Sequence, residues 1–218
     1  MKMQMNKFTR TIGSSIFLFI VSHPLAAQES AEAIVKKVRE NYEKLQSMQA
    51  DFVQNYTWSL AGETQTLEGK ILLKKGDRYR VETKTQTIVT DGATVWTYSP
   101  EKQQVIIDHL SKTAEDHLPR ELILKYTRDF KAKFLGTDKS GKTDLYRIYF
   151  TPRDENSFVS EVTAWIEKDT WLAKKIEQHD INDNTTVYEL KNIQRDVALA
   201  ENLFTFKIPD SVEVVDLR

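Results

Sequence analysis

Apolar residues recur at intervals of three and four from Ala31 through Ile34, Val35, Val38, Tyr42 and Leu45 to Met48, with Lys36, Lys37, Arg39, Glu40, Glu43 and Lys44 between them. That spacing predicts one amphipathic helix, with Ser30 placed to cap its first turn. After Met48 the period falls to two: Phe52, Tyr56 and Trp58 share one parity, and Asp51, Asn55 and Thr57 take the other, the pattern of a half-buried strand. Turns at Ala61-Gly62 and Lys75-Gly76-Asp77 set off two further alternating runs, one holding Leu67, Gly69, Ile71 and Leu73, the other Tyr79 and Val81. The meander goes on through residues 87–90, 94–98 and 103–108, separated by Asp91-Gly92 and Ser99-Pro100-Glu101-Lys102. Between Leu110 and Asp129 the alternation stops, and Leu118-Pro119-Arg120-Glu121-Leu122-Ile123-Leu124 reads as a short helix opened by proline. Strands resume over residues 130–135, 144–151, 158–168, 171–181 and 185–193, which makes about eleven antiparallel strands.

So many consecutive strands do not stay flat, because right-handed twist accumulates until the sheet curls. The expected fold is mainly β with an α lid: an unclosed antiparallel β-barrel of about eleven strands covered by two to three helices. The inward parity collects Phe52, Tyr56, Trp58, Ile71, Leu73, Tyr79, Val81 and Ile88, and the helices offer Val38, Tyr42, Leu45, Leu122 and Ile123. These are the candidate ligand-binding residues. Alternation by itself leaves two readings open, a core filled by its own side chains and a hollow apolar cavity.

The first 27 residues carry a different signal. Lys2, Lys7 and Arg10 precede an apolar run of about ten residues ending near Val21, and Pro24-Leu25-Ala26-Ala27 follows. This is the form of a secretory signal peptide, too short to be a membrane span, with cleavage expected near Ala27 and a single domain over residues 28–218. Loss of its three cations moves the net charge from −1 to −4. No cysteine is present, so a thiol-linked lipid anchor, disulfides and cysteine-held metals are excluded, and the mature protein is expected free in the periplasm.

Balanced charge gives no field for nucleic acid. His109, His117 and His179 lack metal-ligand spacing, the glycines lie singly rather than in a phosphate-binding cluster, and the Glu115-Asp116 and Asp154-Glu155 pairs sit in polar connections. The chain therefore reads as neither an enzyme nor a cofactor protein, and no metal site is expected.

The run from Gly69 to Glu82 (GKILLKKGDRYRVE), then Ile88 to Tyr98 (IVTDGATVWTY) and Gln104-Val105, resembles the periplasmic lipoprotein carrier family, LolA. Ala50-Asp-Phe-Val-Gln54, the Pro119 helix and the stretch from Phe204 to Val215 are similar in kind and in order, so the likeness covers nearly all of the mature chain. The resemblance implies an unclosed eleven-strand barrel whose cavity takes the acyl chains of lipoproteins for carriage from the inner to the outer membrane. It also implies acylated lipoproteins as cargo, an inner-membrane ABC lipoprotein-releasing complex as donor, an outer-membrane lipoprotein acceptor of related fold, and a monomeric, cofactor-free chaperone. Lacking the anchoring cysteine, this chain resembles the carrier rather than the acceptor. Family members hold the lid with an arginine before a proline after the second strand; the matching positions here are Lys75-Gly76, so Lys75 is the candidate lid latch. An alternative from the same resemblance is a periplasmic lipid-sensing or regulatory domain.

Overall fold

The computed structural model describes residues 30–111 and 119–218, with side chains described from 123 onward in the second stretch. The expected signal peptide and His117 lie outside the described residues, as does the side chain of Leu122.

Helix α1 (Ala31–Lys44) opens on Ser30, whose Oγ accepts the Ala33 amide at 3.1 Å. Its buried residues Ala31, Ile34, Val35, Val38 and Tyr42 form one stripe. The helix ends earlier than the apolar period suggested. The Gln46 amide donates to Asp196 Oδ1 at 3.0 Å and the Lys75 amide donates to the Gln46 carbonyl at 2.9 Å, which draws the chain into the sheet. Met48 consequently belongs to β1 (Ser47–Trp58), not to the helix.

Strands β2 (Glu63–Lys74), β3 (Arg78–Thr83), β4 (Thr87–Thr90), β5 (Thr94–Ser99) and β6 (Gln104–His109) follow as a meander. After helix α2 (Pro119–Asp129) come β7 (Phe130–Ser140), β8 (Thr143–Pro152), β9 (Val159–Glu167), β10 (Ala173–Asp180) and β11 (Thr185–Arg195). A 3₁₀ turn (Glu201–Phe204) leads to a last strand, β12 (Glu213–Asp216).

All twelve strands form one sheet in the order β12-β6-β5-β4-β3-β2-β1-β11-β10-β9-β8-β7. The two meanders join where β1 pairs with β11, and β12 and β7 remain as separate edges, so the barrel is unclosed. Eleven strands are antiparallel; β12 is the addition, running parallel to β6. Register shifts at Gln49/Asp51 and Phe134/Gly136 bend the sheet at its centre and at its β7 edge.

Register assigns the faces. Ala50, Ile71, Val81 and Ile88 lie side by side across four strands on the concave face, where α1 and α2 pack. Leu72, Val89, Val105 and Ile107 are also buried, on the opposite face. The stretch after β11 covers them. Lys74 Nζ donates to Leu199 O at 2.9 Å, Phe204 is 1% exposed, and the Phe206 ring lies 5.6 Å from that of Tyr98. Simple apolar-in, polar-out alternation does not anticipate this second layer, because the β2–β6 half is covered on both sides.

Gly69 sits on β2 directly opposite Phe52, whose ring lies over it; an added Cβ would come within 2.2 Å of Glu82 O and 2.8 Å of the Phe52 ring. Gly69→Ala should therefore destabilise the protein by ~1–3 kcal/mol through overpacking. Urea denaturation checks this, and an unchanged midpoint would show that the β2–β3 backbone gives way freely.

Candidate functional site

The concave face gathers most of the sequence-predicted residues. Val38, Tyr42 and Leu45 from the α1 segment meet Ile71, Leu73, Tyr79, Val81 and Ile88 from the sheet, with Ile123 of α2, in one buried cluster. Each of these is 8% exposed or less. Phe52 packs half-buried against it. The remaining two lie further along β1: Tyr56 is half-buried, edge-on to Trp58 at 6.0 Å, and Trp58 is 48% exposed, outside the cluster. Trp58 ends its strand at the β1–β2 turn, which is why its inward parity does not bury it.

The strand residues predicted from the sequence, Phe52 to Ile88, all lie in the first meander. The second contributes as much: Phe130, Ile148, Phe150, Val162, Ile166 and Ile176 belong to the same cluster. The alternation in residues 144–151 and 158–168 carries the same signal and identifies their inward parity. Ile34 and Met48 also join it.

Beneath the helices, then, the face is occupied by helix side chains. Beyond them it continues as a half-exposed strip, with Phe52 beside Leu190 and Tyr56 beside the buried Thr186, and Tyr188 between those two rows. A narrow cleft of about 10 Å³ opens at the end of α1 between Tyr42, Leu45 and Leu73, rimmed by Gln46, Lys74 and Lys75. That is room for about one water and not for a hydrocarbon tail. A much larger groove, about 730 Å³, lies elsewhere, lined by Lys139, Lys174, Lys175, Lys191, Asp138 and Glu189 around Trp165. Its charged walls favour water over hydrocarbon, so size does not make it the apolar site.

Polar contacts tie the helices down. Arg39 donates to the Thr127 carbonyl of α2 at 2.8 Å. Arg195 donates to Asn41 Oδ1 at 2.9 Å, and the Tyr42 hydroxyl accepts the Ala173 amide at 3.2 Å. The Tyr126 hydroxyl of α2 donates to Gln178 Oε1, and the Tyr126 ring meets Phe130 edge-on at 5.0 Å. Lys75 is exposed at the β2–β3 turn, where Gly76 and Asp77 take left-handed φ of 84° and 56°. Its carbonyl accepts from Arg78 Nε at 3.1 Å, while its ammonium makes no hydrogen bond among the described residues. Arg39, rather than Lys75, is the side chain that reaches an α2 carbonyl here. Nothing in its local sequence marks it, since it is one of seven charged residues on α1.

Burial dominates the electrostatics. It pushes the Tyr42 phenol up to about 12, against the lowering effects of the Ala173 amide bond and Arg195. It pushes Tyr79 up to about 12 as well, and raises Tyr126 and Tyr188. Four phenols thus stay neutral through the ordinary pH range on an uncharged wall.

The profile of the family described as "Outer membrane lipoprotein carrier protein LolA" matches residues 43–207. An outer-membrane lipoprotein carrier protein of Histophilus somni (strain 2336) is 28% identical over 187 residues, 84% of this chain and 88% of the relative. One of Haemophilus influenzae is 28% identical over 178 residues, covering 80% and 83%. Among solved structures, an uncharacterized conserved protein from Thermus thermophilus superposes with a TM-score of 0.60 at 14% identity, over 85% of this chain and 98% of that one, a likeness of fold.

Tyr42→Phe would leave the buried Ala173 amide without an acceptor, at a cost of ~1–3 kcal/mol near neutral pH. The pH dependence has a definite sign. The phenol ionises near 10 in the unfolded chain and near 12 in the folded one, so its contribution is intact below pH 10 and is lost by about 1.4 kcal/mol per pH unit from there to 12. Urea midpoints across pH 8–12 should fall more steeply for the native sequence than for Tyr42→Phe; parallel curves would contradict the burial of this hydroxyl.

Proposed function

The chain belongs to the LolA family of outer membrane lipoprotein carriers, and from that membership we propose that it is a periplasmic chaperone that shelters the acyl chains of lipoproteins on its concave face and takes them from inner to outer membrane. The observation that carries this reading is a continuous apolar wall, half exposed at Phe52 and Tyr56 and elsewhere covered by helices rather than by strands.

Burying a 16-carbon chain is worth roughly 10 kcal/mol at about 0.8 kcal/mol per methylene. Covering the sheet with Ile34, Val35, Val38, Tyr42 and Leu45 of the α1 segment is worth a similar amount, at about 1.5–3 kcal/mol per side chain. Exchange of helix for lipid is therefore nearly balanced. A tail lands on the half-exposed strip and advances as α1 withdraws; release runs the same steps backward. Arg39 bridges α1 to α2 and serves as the latch of the empty form, with Lys75 at the rim of the cleft where the withdrawing helix ends. The donor is an inner-membrane ABC lipoprotein-releasing complex and the recipient an outer-membrane acceptor. The leader, residues 1–27, takes the chain across the inner membrane and is removed.

Incubation with inner-membrane vesicles carrying a labelled acylated lipoprotein and an active releasing complex should yield a water-soluble complex of the two proteins. Lipoprotein left wholly in the vesicles would overturn the proposal. Arg39→Ala removes a part-buried, charge-assisted tether worth ~0.5–1 kcal/mol. Amide exchange over residues 31–44 should quicken about twofold to fivefold, with an equal gain in binding of an environment-sensitive apolar dye; unchanged exchange would take Arg39 out of the latch.

A further inference from the structure

Tyr79 is 1% exposed, yet its hydroxyl has no hydrogen-bond partner among the described residues. Three other buried polar atoms are unpaired among the described residues, Asn41 Nδ2, Arg147 Nε and Arg195 Nε, but each belongs to a group already bonded through another atom. Asn41 accepts from Arg195, Arg195 also donates to the Thr170 carbonyl, and Arg147 pairs with Asp138. In Tyr79 the whole polar function of the side chain is unmet. Such a buried hydroxyl is rare in native structures and is disfavoured unless something else supplies the partner.

Its described neighbours in the sheet supply none. Across the sheet it faces Leu73 on β2 and Thr90 on β4, and the next row is Val81 and Ile88. Thr90 Oγ1 accepts the Gly92 amide at 3.0 Å in the β4–β5 turn and makes no bond to the Tyr79 hydroxyl. Leu73, the neighbour of Tyr79 in register, also forms the inner end of the narrow cleft rimmed by Lys75. A group entering by that route as α1 withdraws would meet Leu73 and, one strand further, Tyr79, with the apolar row of Val81 and Ile88 beyond.

We propose that Tyr79 is the polar anchor of the ligand site, donating its hydroxyl proton to the carbonyl oxygen of an acyl ester while the attached chain lies along Val81 and Ile88. This deepens the carrier reading and rests on it. A carbonyl is the acceptor that an acylated ligand carries at the head of each chain. The phenol is neutral through the ordinary pH range and burial moves its ionisation still higher, so it offers a donor without charge to an ester carbonyl. The contact would exist only in the loaded protein, so the hydroxyl disfavours the closed form and favours the occupied one. It also fixes depth, since one end of the chain is held at Tyr79 and the rest must extend away from the cleft.

The test compares native protein and Tyr79→Phe against two probes with the same hydrocarbon, dipalmitoylglycerol and its dihexadecyl ether analogue, which lacks both carbonyls. The native protein should prefer the ester. In Tyr79→Phe, ester affinity should fall about threefold to tenfold, the loss expected for one neutral hydrogen bond, and ether affinity should be unchanged. The thermal midpoint of unliganded Tyr79→Phe should equal or exceed that of the native protein, because an unpaired hydroxyl has been removed. Equal losses for both probes, or a lower midpoint without ligand, would overturn the proposal by showing a packing role or a partner in the empty form. If the native protein binds neither probe, the carrier reading fails and the anchor with it.

Discussion

The contact between the apolar stripe of α1 and the concave face of the sheet is the interaction on which the rest depends. Twelve strands curl into a trough whose inner wall holds Ile71, Leu73, Val81, Ile148, Val162 and Ile166, and such a wall is not stable against water. A closed barrel would bury it with its own strands. Here β7 and β12 stay apart, and cover comes from helices that share no ladder hydrogen bonds with the sheet. Their attachment is side-chain burial plus a few polar contacts, so cover can be removed without breaking a strand.

Rigidity is distributed to match. In the β2–β6 half Leu72, Val89, Val105 and Ile107 are buried on the outer face as well, because the chain after β11 crosses that side. There Glu201 pairs with Lys74 at 2.6 Å and also with Arg78, Arg80 donates to Leu203 O, and β12 extends the sheet. A wall braced from behind can lose its front cover without reshaping, and that half carries Leu73, Tyr79, Val81 and Ile88. The cluster on the β7–β11 side is braced differently, through Tyr126 of α2 set among Phe130, Phe150 and Gln178.

Much of this was legible from residue spacing. The switch of period from three-and-four to two places α1 and β1, and turns such as Lys75-Gly76-Asp77 fix the hairpins that follow. What spacing misses has physical causes. Met48 continues the helical period but is taken into β1 by hydrogen bonds from Asp196 and Lys75, partners remote in the chain. The strand at Glu213–Asp216 is four residues long and pairs in parallel, so it shows neither a hairpin turn nor useful alternation. Leu72 and Val89 sit at positions that alternation assigns to water, and only the returning chain explains their burial. Trp58 has the right parity at the wrong depth.

The same distinction separates Lys75 from Arg39, the residue proposed as the latch. Lys75 is indicated by the resemblance to the LolA family, whose members carry an arginine at the matching place after the second strand; Arg39 reaches a carbonyl 88 residues away, a property of how two helices cross. Their surroundings differ accordingly. A guanidinium near the middle of α1 reaches the Thr127 carbonyl through one hydrogen bond from Nη2 at 2.8 Å, so it ties the helix to α2 while the apolar stripe of α1 stays on the sheet. An ammonium at the hairpin tip stands where the helix ends and the cleft begins, so it is placed to meet whatever passes that rim. Holding and admitting are opposed tasks. On the proposed carrier reading, dividing them between different side chains lets the cover stay shut by a weak, part-buried contact and still yield when hydrocarbon of comparable burial energy is offered in place of Val38, Tyr42 and Leu45.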